Sequence, residues 1–235
     1  LTPNQNNCKT LIQSWHKRQS VQDFVLAGYA GTGKSTIIDY VIQDLQIPYT
    51  DTAFVTFTGK ASLVLTMKAN GKYSCNTLHS FLYDTKIFMN KVLYTPKPQA
   101  SFKSIRLIVV DECSMVNEEL LALLYRTGCK ILFVGDHGQL PPVGKPSDIY
   151  IKLSEQPDFV LTDIVRQAAD NPIINISMLA RTKQKINYGA YNGKVLVIPK
   201  SNIPKYTKSM QNADIIICGY NKTRQSLNQQ MRSLK

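Results

Sequence analysis

Residues 28–35 read Gly-Tyr-Ala-Gly-Thr-Gly-Lys-Ser and fit the pattern G-x-x-x-x-G-K-[ST]. The apolar run 24–27 before them predicts a buried strand, and the apolar spacing over 37–45 after them predicts a helix. A glycine-rich turn between a strand and a helix lets backbone N–H groups converge on phosphate oxygens at the positive end of the helix. The stretch therefore predicts a phosphate-binding loop (P-loop) in an α/β protein.

The alternation of strands and helices continues along the chain. Continuous apolar strands that alternate with helices indicate a parallel sheet covered on both faces. Residues 83–103 break this rhythm and predict a small β insertion, and the rhythm weakens again after residue 185. Strands are predicted at 53–57, 105–110, 131–134, 195–198 and 215–218, and helices from residue 3 and at 61–67, 120–125 and 223–234.

Two carboxylates, Asp111 and Glu112, follow the most apolar predicted strand. In P-loop hydrolases, an aspartate at this position helps the P-loop hydroxyl to hold Mg²⁺, and an acidic neighbour can deprotonate the attacking water. We therefore expect Ser35 and Asp111 to hold Mg²⁺ and Glu112 to act as the base. An acidic pair could equally begin an exposed helix, but the P-loop upstream favours the site.

A polar turn over residues 135–142 follows the next predicted strand, at the sheet edge where ligands bind in open α/β folds. Gln139 in this turn is suited to sense a γ-phosphate by a hydrogen bond, although a simple tight turn is the alternative. Lys34 is expected to reach the β- and γ-phosphates. The predicted ATP-binding residues of the loop are Gly28, Gly31, Thr32, Gly33, Lys34, Ser35 and Thr36.

The charge distribution predicts a polyanionic partner. The 235 residues are 43% hydrophobic and carry 28 basic against 16 acidic side chains, a formal charge of +12. Residues 60–103 hold seven lysines against Asp84, and residues 181–235 hold eleven basic side chains against Asp214. Basic surface releases counterions from phosphates, so we expect a nucleic acid; the alternatives are solubility alone, or a surface that faces a missing acidic partner.

Other residue counts argue against several classes of protein. Five scattered cysteines and three scattered histidines have no metal-ligand spacing, which argues against a zinc site and a disulfide framework. We expect a reducing, cytoplasmic location, in the host cell if the source is a phage. No apolar run approaches the ~18 residues of a membrane span, and we expect no secretory signal. We expect a monomer without a membrane partner.

These motifs, in this order, resemble those of superfamily 1 DNA helicases of the RecD/Dda type. The resemblance covers nearly the whole chain, and the three nucleotide motifs together are its most specific part. Residues that look like the family's motifs are 1–5 (Q motif), 28–35 (motif I), 58–61 (Ia), 77–79 (Ib), 111–115 (II), 135–142 (III), 161–167 (IV), and 221–224 with Asn228 and Arg232 (entry to the second RecA-like domain).

The resemblance implies ATP hydrolysis coupled to 5′-to-3′ movement on single-stranded DNA, with ATP and Mg²⁺ as cofactors. It implies that Gln5 reads the adenine edge and that Arg166 reaches the γ-phosphate, beside the other catalytic candidates Lys34, Glu112 and Gln139. The residues implied to touch the single strand are Phe57, Thr58, Lys60, Thr77 and His79. Phe57 stands where the family often has proline, and it either stacks on a base or packs in the core.

The resemblance also implies a domain organisation. Residues 1–180 would form a RecA-like ATP-binding domain with the insertion at 83–103, and residues 181–235 would begin a second RecA-like domain. The family's motifs V and VI have no counterpart before Lys235, so we expect the N-terminal part of a longer helicase. Single-strand-binding, nuclease or replication proteins are candidate partners. Lys60, Lys68 and Lys72 are candidate DNA-backbone contacts, and Phe88, Met89 and Tyr94 are candidates for a strand-splitting wedge.

Two other functions stay open. A P-loop small-molecule kinase would need a lid and an acceptor pocket, and it leaves Gln139, Arg166 and the basic segments unexplained. A non-unwinding nucleotide-binding module leaves the carboxylate pair of Asp111 and Glu112 unexplained. The rate of ATP hydrolysis with and without single-stranded DNA distinguishes the three.

Overall fold

The computed structural model describes residues 1–29, 31–89, 91–139, 142, 145–163 and 171–233. Contacts within the chain group it into two units, Leu1–Ala169 and Asp170–Lys235, which we describe separately. The domain boundary that the sequence suggests after residue 180 stays a prediction. No helix in the described ranges is long and apolar enough to cross a membrane.

The first unit is built around a six-stranded sheet, whose strand pairs are all parallel. Its strands, numbered in chain order, are β1 (Asp23–Gly28), β2 (Thr52–Thr56), β3 (Cys75–Thr77), β6 (Leu107–Asp111), β7 (Lys130–Gly135) and β8 (Phe159–Leu161). The spatial order is β3-β2-β6-β7-β1-β8, so β1 lies between β7 and β8. This arrangement confirms the predicted α/β fold with a parallel sheet.

Helices cover both faces of this sheet because its central strands are apolar on both faces. Val25 and Ala27 of β1 belong to one buried cluster, and Phe24 and Leu26 belong to the other. Leu124 packs in the first cluster and Ile12 in the second, and both are fully buried. The helices in the described part of this unit are α1 (Pro3–Lys17), α2 (Lys34–Asp44), α3 (Gly59–Lys68), α4 (Leu78–Leu82), α5 (Glu118–Arg126) and α6 (Asp148–Glu155).

The predicted insertion is a two-stranded antiparallel hairpin, β4 (Tyr83–Phe88) with β5 (Lys91–Pro96). It leaves the sheet after α4, and a 3₁₀ turn at Gln99–Phe102 returns the chain toward β6. Apart from buried Tyr83, the described residues of both strands are exposed. The hairpin is therefore an appendage of the sheet and contributes little to its core.

The second unit contains short elements. They are α7 (Pro172–Arg181), β9 (Gly189–Tyr191), β10 (Val195–Val197), a 3₁₀ segment (Lys200–Tyr206), α8 (Thr207–Gln211) and α9 (Asn221–Ser233). The predicted strand at 215–218 is wrong, because these residues are irregular and Ile217 is 85% exposed. In the described part of this unit β9 and β10 pair only with each other, so residues 215–218 have no neighbouring strand to complete a ladder.

Candidate nucleotide-binding and hydrolysis site

The predicted P-loop connects β1 to α2 at the carboxyl edge of the sheet. Gly33 caps the start of α2 with a φ of +83°, which glycine adopts without steric cost. A Cβ on Gly28 would lie 2.8 Å from Thr32 Oγ1 and 3.0 Å from Leu161 Cβ. Glycine at position 28 therefore lets the loop pack directly on β8.

Lys34 lies in the first turn of α2, under the loop. Its ammonium donates hydrogen bonds to the carbonyl oxygens of Gly28, at 2.6 Å, and Tyr29, at 3.0 Å. A cation is thereby held beside the backbone N–H groups of the loop and the positive end of α2. All of these groups favour a bound anion, as the P-loop assignment requires.

Asp111 and Ser35 border one small pocket, whose other lining residues are mostly apolar. Burial raises the pKa of the Asp111 carboxyl, and the negative charge of Glu112 raises this pKa further, while Lys34 and Lys68 lower it in part. A hydroxyl and a carboxylate are the oxygen ligands that Mg²⁺ prefers. No group of three or more His, Cys, Asp or Glu in the described ranges could hold a metal alone. Phosphate oxygens or water would therefore complete the coordination.

The chain turns sharply after Asp111, because Glu112 adopts left-handed backbone angles with φ 56° and ψ 44°. Its N–H donates to Asp111 Oδ1 at 3.0 Å. Its carboxylate Oε2 accepts a hydrogen bond of 2.8 Å from Gln139 Nε2. The Ser114 hydroxyl donates to Gln139 Oε1, also at 2.8 Å. The structure thus connects motif II with the polar turn after β7 through one amide.

The turn that carries Glu112 rests on a closely packed floor. A Cβ on Gly135 at the end of β7 would lie 2.8 Å from Cys113 Sγ and 2.8 Å from Leu153 Cδ2. Cys113 and Leu153 are fully buried. Asp136 follows, is 4% exposed, and accepts a 2.9 Å hydrogen bond from the N–H of Gly138. This floor fixes the ends of β6 and β7 relative to each other.

Gln5 lies behind the P-loop and connects it to α1. Its side chain forms a capping box with Thr2, and its Nε2 donates to the Thr32 carbonyl at 3.1 Å. Thr2 Oγ1 also donates to Asp163 Oδ2 at 3.0 Å. Gln5 therefore lies next to the loop, but it is buried and hydrogen-bonded at both ends of its amide. Its contact with adenine stays a prediction.

The residues expected to touch a single strand lie at the ends of β2 and β3. Thr58 and Thr77 cap α3 and α4 with their hydroxyls, and Lys60 is exposed in the first turn of α3. Phe57 is half-buried against the core, and its ring centroid lies 5.9 Å from that of His79. The structure therefore brings the two predicted DNA-contacting segments together.

The ring contacts continue beyond these residues. His79 lies 6.1 Å from Tyr83, and Tyr83 lies 6.0 Å from Tyr94 on the hairpin, centroid to centroid. Phe88 and Met89, at the tip of the hairpin, are 61% and 82% exposed. A row of rings thus runs from the sheet edge to the hairpin.

One predicted site residue lies outside the described part of the structure, and two features of the site were not predicted from the sequence. Arg166 lies outside the described residues, and its role stays a prediction. Sequence reasoning gave no role to Ser114 or to the Thr2–Asp163 contact. For Ser114 a signal existed, since it stands two positions after Glu112 in the stretch Asp-Glu-Cys-Ser-Met.

Comparison with known proteins identifies a family and several relatives. The sequence pattern of the family described as AAA domain matches residues 6–197. The ATP-dependent RecD2 DNA helicase of Deinococcus radiodurans is 34% identical over 154 residues, which are 64% of this chain and 20% of that protein. The ATP-dependent DNA helicase dda of Enterobacteria phage T4 is 27% identical over 197 residues, or 80% of this chain and 44% of that protein.

A solved helicase structure shares the fold of this chain. Unliganded Pif1 from Bacteroides sp. superposes with a TM-score of 0.53 at 22% identity, covering 97% of this chain and 55% of the Pif1 chain. The present chain thus spans less than half the length of the two helicases above. The relatives confirm the resemblance to RecD/Dda-type helicases that the motifs indicate.

Proposed function

Because the chain belongs to the AAA domain family, we propose that it is the ATP-binding and ATP-hydrolysing part of a DNA helicase that moves along single-stranded DNA. The observation that carries this proposal is the hydrogen bond between Gln139 Nε2 and Glu112 Oε2, next to the P-loop and Asp111. A carboxylate held in place beside a phosphate site supports hydrolysis and not only binding. The relatives are named ATP-dependent DNA helicases.

The residues divide the work of hydrolysis in the following way. The loop amides and Lys34 bind the phosphates, and Ser35 and Asp111 would hold Mg²⁺, which neutralises phosphate charge when it is bound. Glu112 orients a water molecule in line with the γ-phosphate and takes its proton. Arg166 belongs to this proposal as the residue that stabilises the charge of the transition state; a supplied arginine contributes roughly 10³–10⁵ in rate in related enzymes.

The proposed second substrate is single-stranded DNA, along which the protein would move in the 5′-to-3′ direction. The support is two exposed rings in this row, His79 and Tyr94, with Lys60 exposed beside the start of the row. Base stacking on an aromatic ring contributes about 1–3 kcal/mol, and lysines follow the backbone. The exposed tip formed by Phe88 and Met89 is the proposed wedge that separates a duplex.

The test is the rate of ATP hydrolysis with and without single-stranded DNA, on this chain and on Glu112→Gln. We expect stimulation by DNA in the parent chain. We expect Glu112→Gln to bind a fluorescent ATP analogue with nearly unchanged affinity and to hydrolyse ATP at least about 100-fold more slowly, because the base is lost. Wild-type turnover in this variant would contradict the assignment of Glu112.

Two outcomes would favour the other functions. Phosphoryl transfer from ATP to a small acceptor, without stimulation by DNA, would indicate a kinase. Binding of ATP without measurable turnover in either protein would indicate a nucleotide-binding module. The direction of movement is read by displacement of streptavidin from a biotin placed at the 3′ or the 5′ end of an oligonucleotide.

A further inference from the structure

Ser114 is a buried serine whose hydroxyl contacts the amide that holds Glu112. Its side chain is 1% exposed, and its Oγ lies 2.8 Å from Gln139 Oε1. The other end of the amide, Nε2, lies 2.8 Å from Glu112 Oε2. The three side chains therefore form one hydrogen-bonded chain from the turn after β6 to the turn after β7.

The chemistry of the three groups fixes the direction of this chain. An ionised carboxylate only accepts hydrogen bonds, so Gln139 must direct its NH₂ group toward Glu112. The carbonyl end of the amide then faces Ser114, and a carbonyl also only accepts. The serine hydroxyl is the donor that satisfies it, and a buried acceptor without a donor costs about 1–3 kcal/mol. An amide that rotated by 180° would direct its oxygen at the carboxylate and lose both bonds.

We propose that Ser114 is a positioning residue for hydrolysis, because it selects the orientation of the Gln139 amide that holds the Glu112 carboxylate. This inference rests on the proposed function, in which Glu112 takes a proton from water. The hydrogen bond from Gln139 to Oε2 restricts rotation of the Glu112 carboxylate and leaves Oε1 as the oxygen that would take the proton of the water. Ser114 is buried and would act through Gln139, the side chain that it contacts.

The backbone supports this role for Ser114. Glu112, in its left-handed conformation, precedes a 3₁₀ turn, Cys113–Met115. This turn places Ser114 against the Gln139 amide. Cys113 in the same turn packs against Gly135 at the end of β7, four residues before Gln139. Ser114 and Gln139 therefore follow two neighbouring strands of the sheet. The Ser114 hydroxyl reaches Gln139 Oε1 without a change in the backbone.

The test compares Ser114→Ala with Ser114→Thr, which keeps the hydroxyl, in DNA-stimulated ATP hydrolysis by the full chain. We expect Ser114→Ala to lower kcat by about fivefold, the equivalent of one neutral hydrogen bond of ~1 kcal/mol. We expect the KM for ATP and the affinity for a fluorescent ATP analogue to change less than about twofold. Ser114→Thr is expected to restore most of kcat. A purely structural role would lower nucleotide affinity and thermal stability together with kcat.

A double-mutant cycle removes the dependence on how well the threonine fits. Because Ser114 acts through the amide, we expect Ser114→Ala to lower kcat by less than about twofold in a Gln139→Ala background. An equal fivefold loss in both backgrounds, or no loss in the parent chain, would overturn the inference. Failure of the proposed function is a different result, since Glu112→Gln would then hydrolyse ATP at the wild-type rate.

Discussion

Asp111 lies at the end of a buried strand, where a carboxylate is poorly solvated. Burial raises its pKa, and the neighbouring charge of Glu112 raises it further. The folded chain therefore holds the Asp111 proton more tightly than the unfolded chain does, and ionisation at neutral pH costs stability. The same charge is what attracts a cation, so stability and ion binding oppose each other at this residue.

We predict that Asp111→Asn raises the urea midpoint of unfolding at neutral pH and abolishes ATP hydrolysis. The amide keeps the oxygen that accepts the Glu112 N–H and removes the buried charge. Because the folded-state pKa of Asp111 is raised, the gap between variant and parent should be complete above that pKa and should close as pH falls through it.

Asp44 is the matched control for this prediction. It is an exposed carboxylate whose pKa is lowered by its 2.7 Å hydrogen bond with Lys9. The sign is opposite there, so Asp44→Asn should leave the urea midpoint unchanged or slightly lower. A lower midpoint for Asp111→Asn than for the parent would contradict the electrostatic account.

At the scale of elements, the packing of β7 against the turn Cys113–Met115 and α6 determines how the catalytic turn is held. We predict that Gly135→Ala lowers the free energy of unfolding by about 1–3 kcal/mol, because the added methyl group meets Cys113 and Leu153 inside a dense core. The displaced turn should also reduce the rate of ATP hydrolysis. Urea denaturation and steady-state kinetics measure the two effects.

Gly59 provides the control for a glycine without neighbours. A Cβ on Gly59 would meet no heavy atom within 4 Å, and the residue begins a helix. Gly59→Ala should therefore leave stability unchanged or raise it by up to about 1 kcal/mol. Equal destabilisation by the two substitutions would mean that the floor under Glu112 is not specially packed.

The elements differ in how well the sequence predicts them. The apolar strand β6 and its neighbour β7 are recognisable from composition, because both of their faces are buried. The three-residue strands β3 and β8 carry too few side chains for a periodic signal, and their place in the sheet depends on pairing with distant residues. Residues 215–218 show the reverse case. Their composition is typical of a strand, but no strand in the described part of their unit pairs with them.

The sequence predicts which residues lie at the candidate site, but it does not predict the hydrogen bonds between them. Sequence order places Glu112 and Gln139 after two strands of one parallel sheet, so their proximity follows from the fold. The role of Ser114 does not follow, because it depends on the left-handed backbone of Glu112, an uncommon conformation for a residue with a side chain. Likewise, no spacing rule brings Thr2 to Asp163.

At the scale of the whole molecule, the formal charge of +12 attracts a polyanion over a longer range than any single contact does. We predict that the logarithm of the affinity for single-stranded DNA falls linearly with the logarithm of salt concentration, by about 0.7 per phosphate neutralised. Lys60→Gln should reduce this slope by about 0.7, since Lys60 is exposed at the proposed DNA-contacting edge. Fluorescence anisotropy over a salt series gives both slopes.

Lys9 on α1 is the control for this measurement, because it already pairs with Asp44 at the end of α2, at 2.7 Å. Lys9→Gln removes the same formal charge and should leave the slope unchanged. A flat slope in the parent chain, or equal changes for the two variants, would mean that DNA does not follow the edge marked by Lys60.

The strand order also determines when the nucleotide site can form during synthesis. β1, the first strand made, lies between β7 and β8, the last two strands of the sheet, and Asp23 pairs with Ile131. At about 5–20 residues per second, the ribosome needs on the order of 5–20 s to supply those partners. During this interval strand β1 lacks its two neighbours in the sheet, and the P-loop after it lacks β8, the strand on which Gly28 packs. A nascent chain arrested before Leu161 should therefore lack a nucleotide site, although every residue of the loop has already been translated.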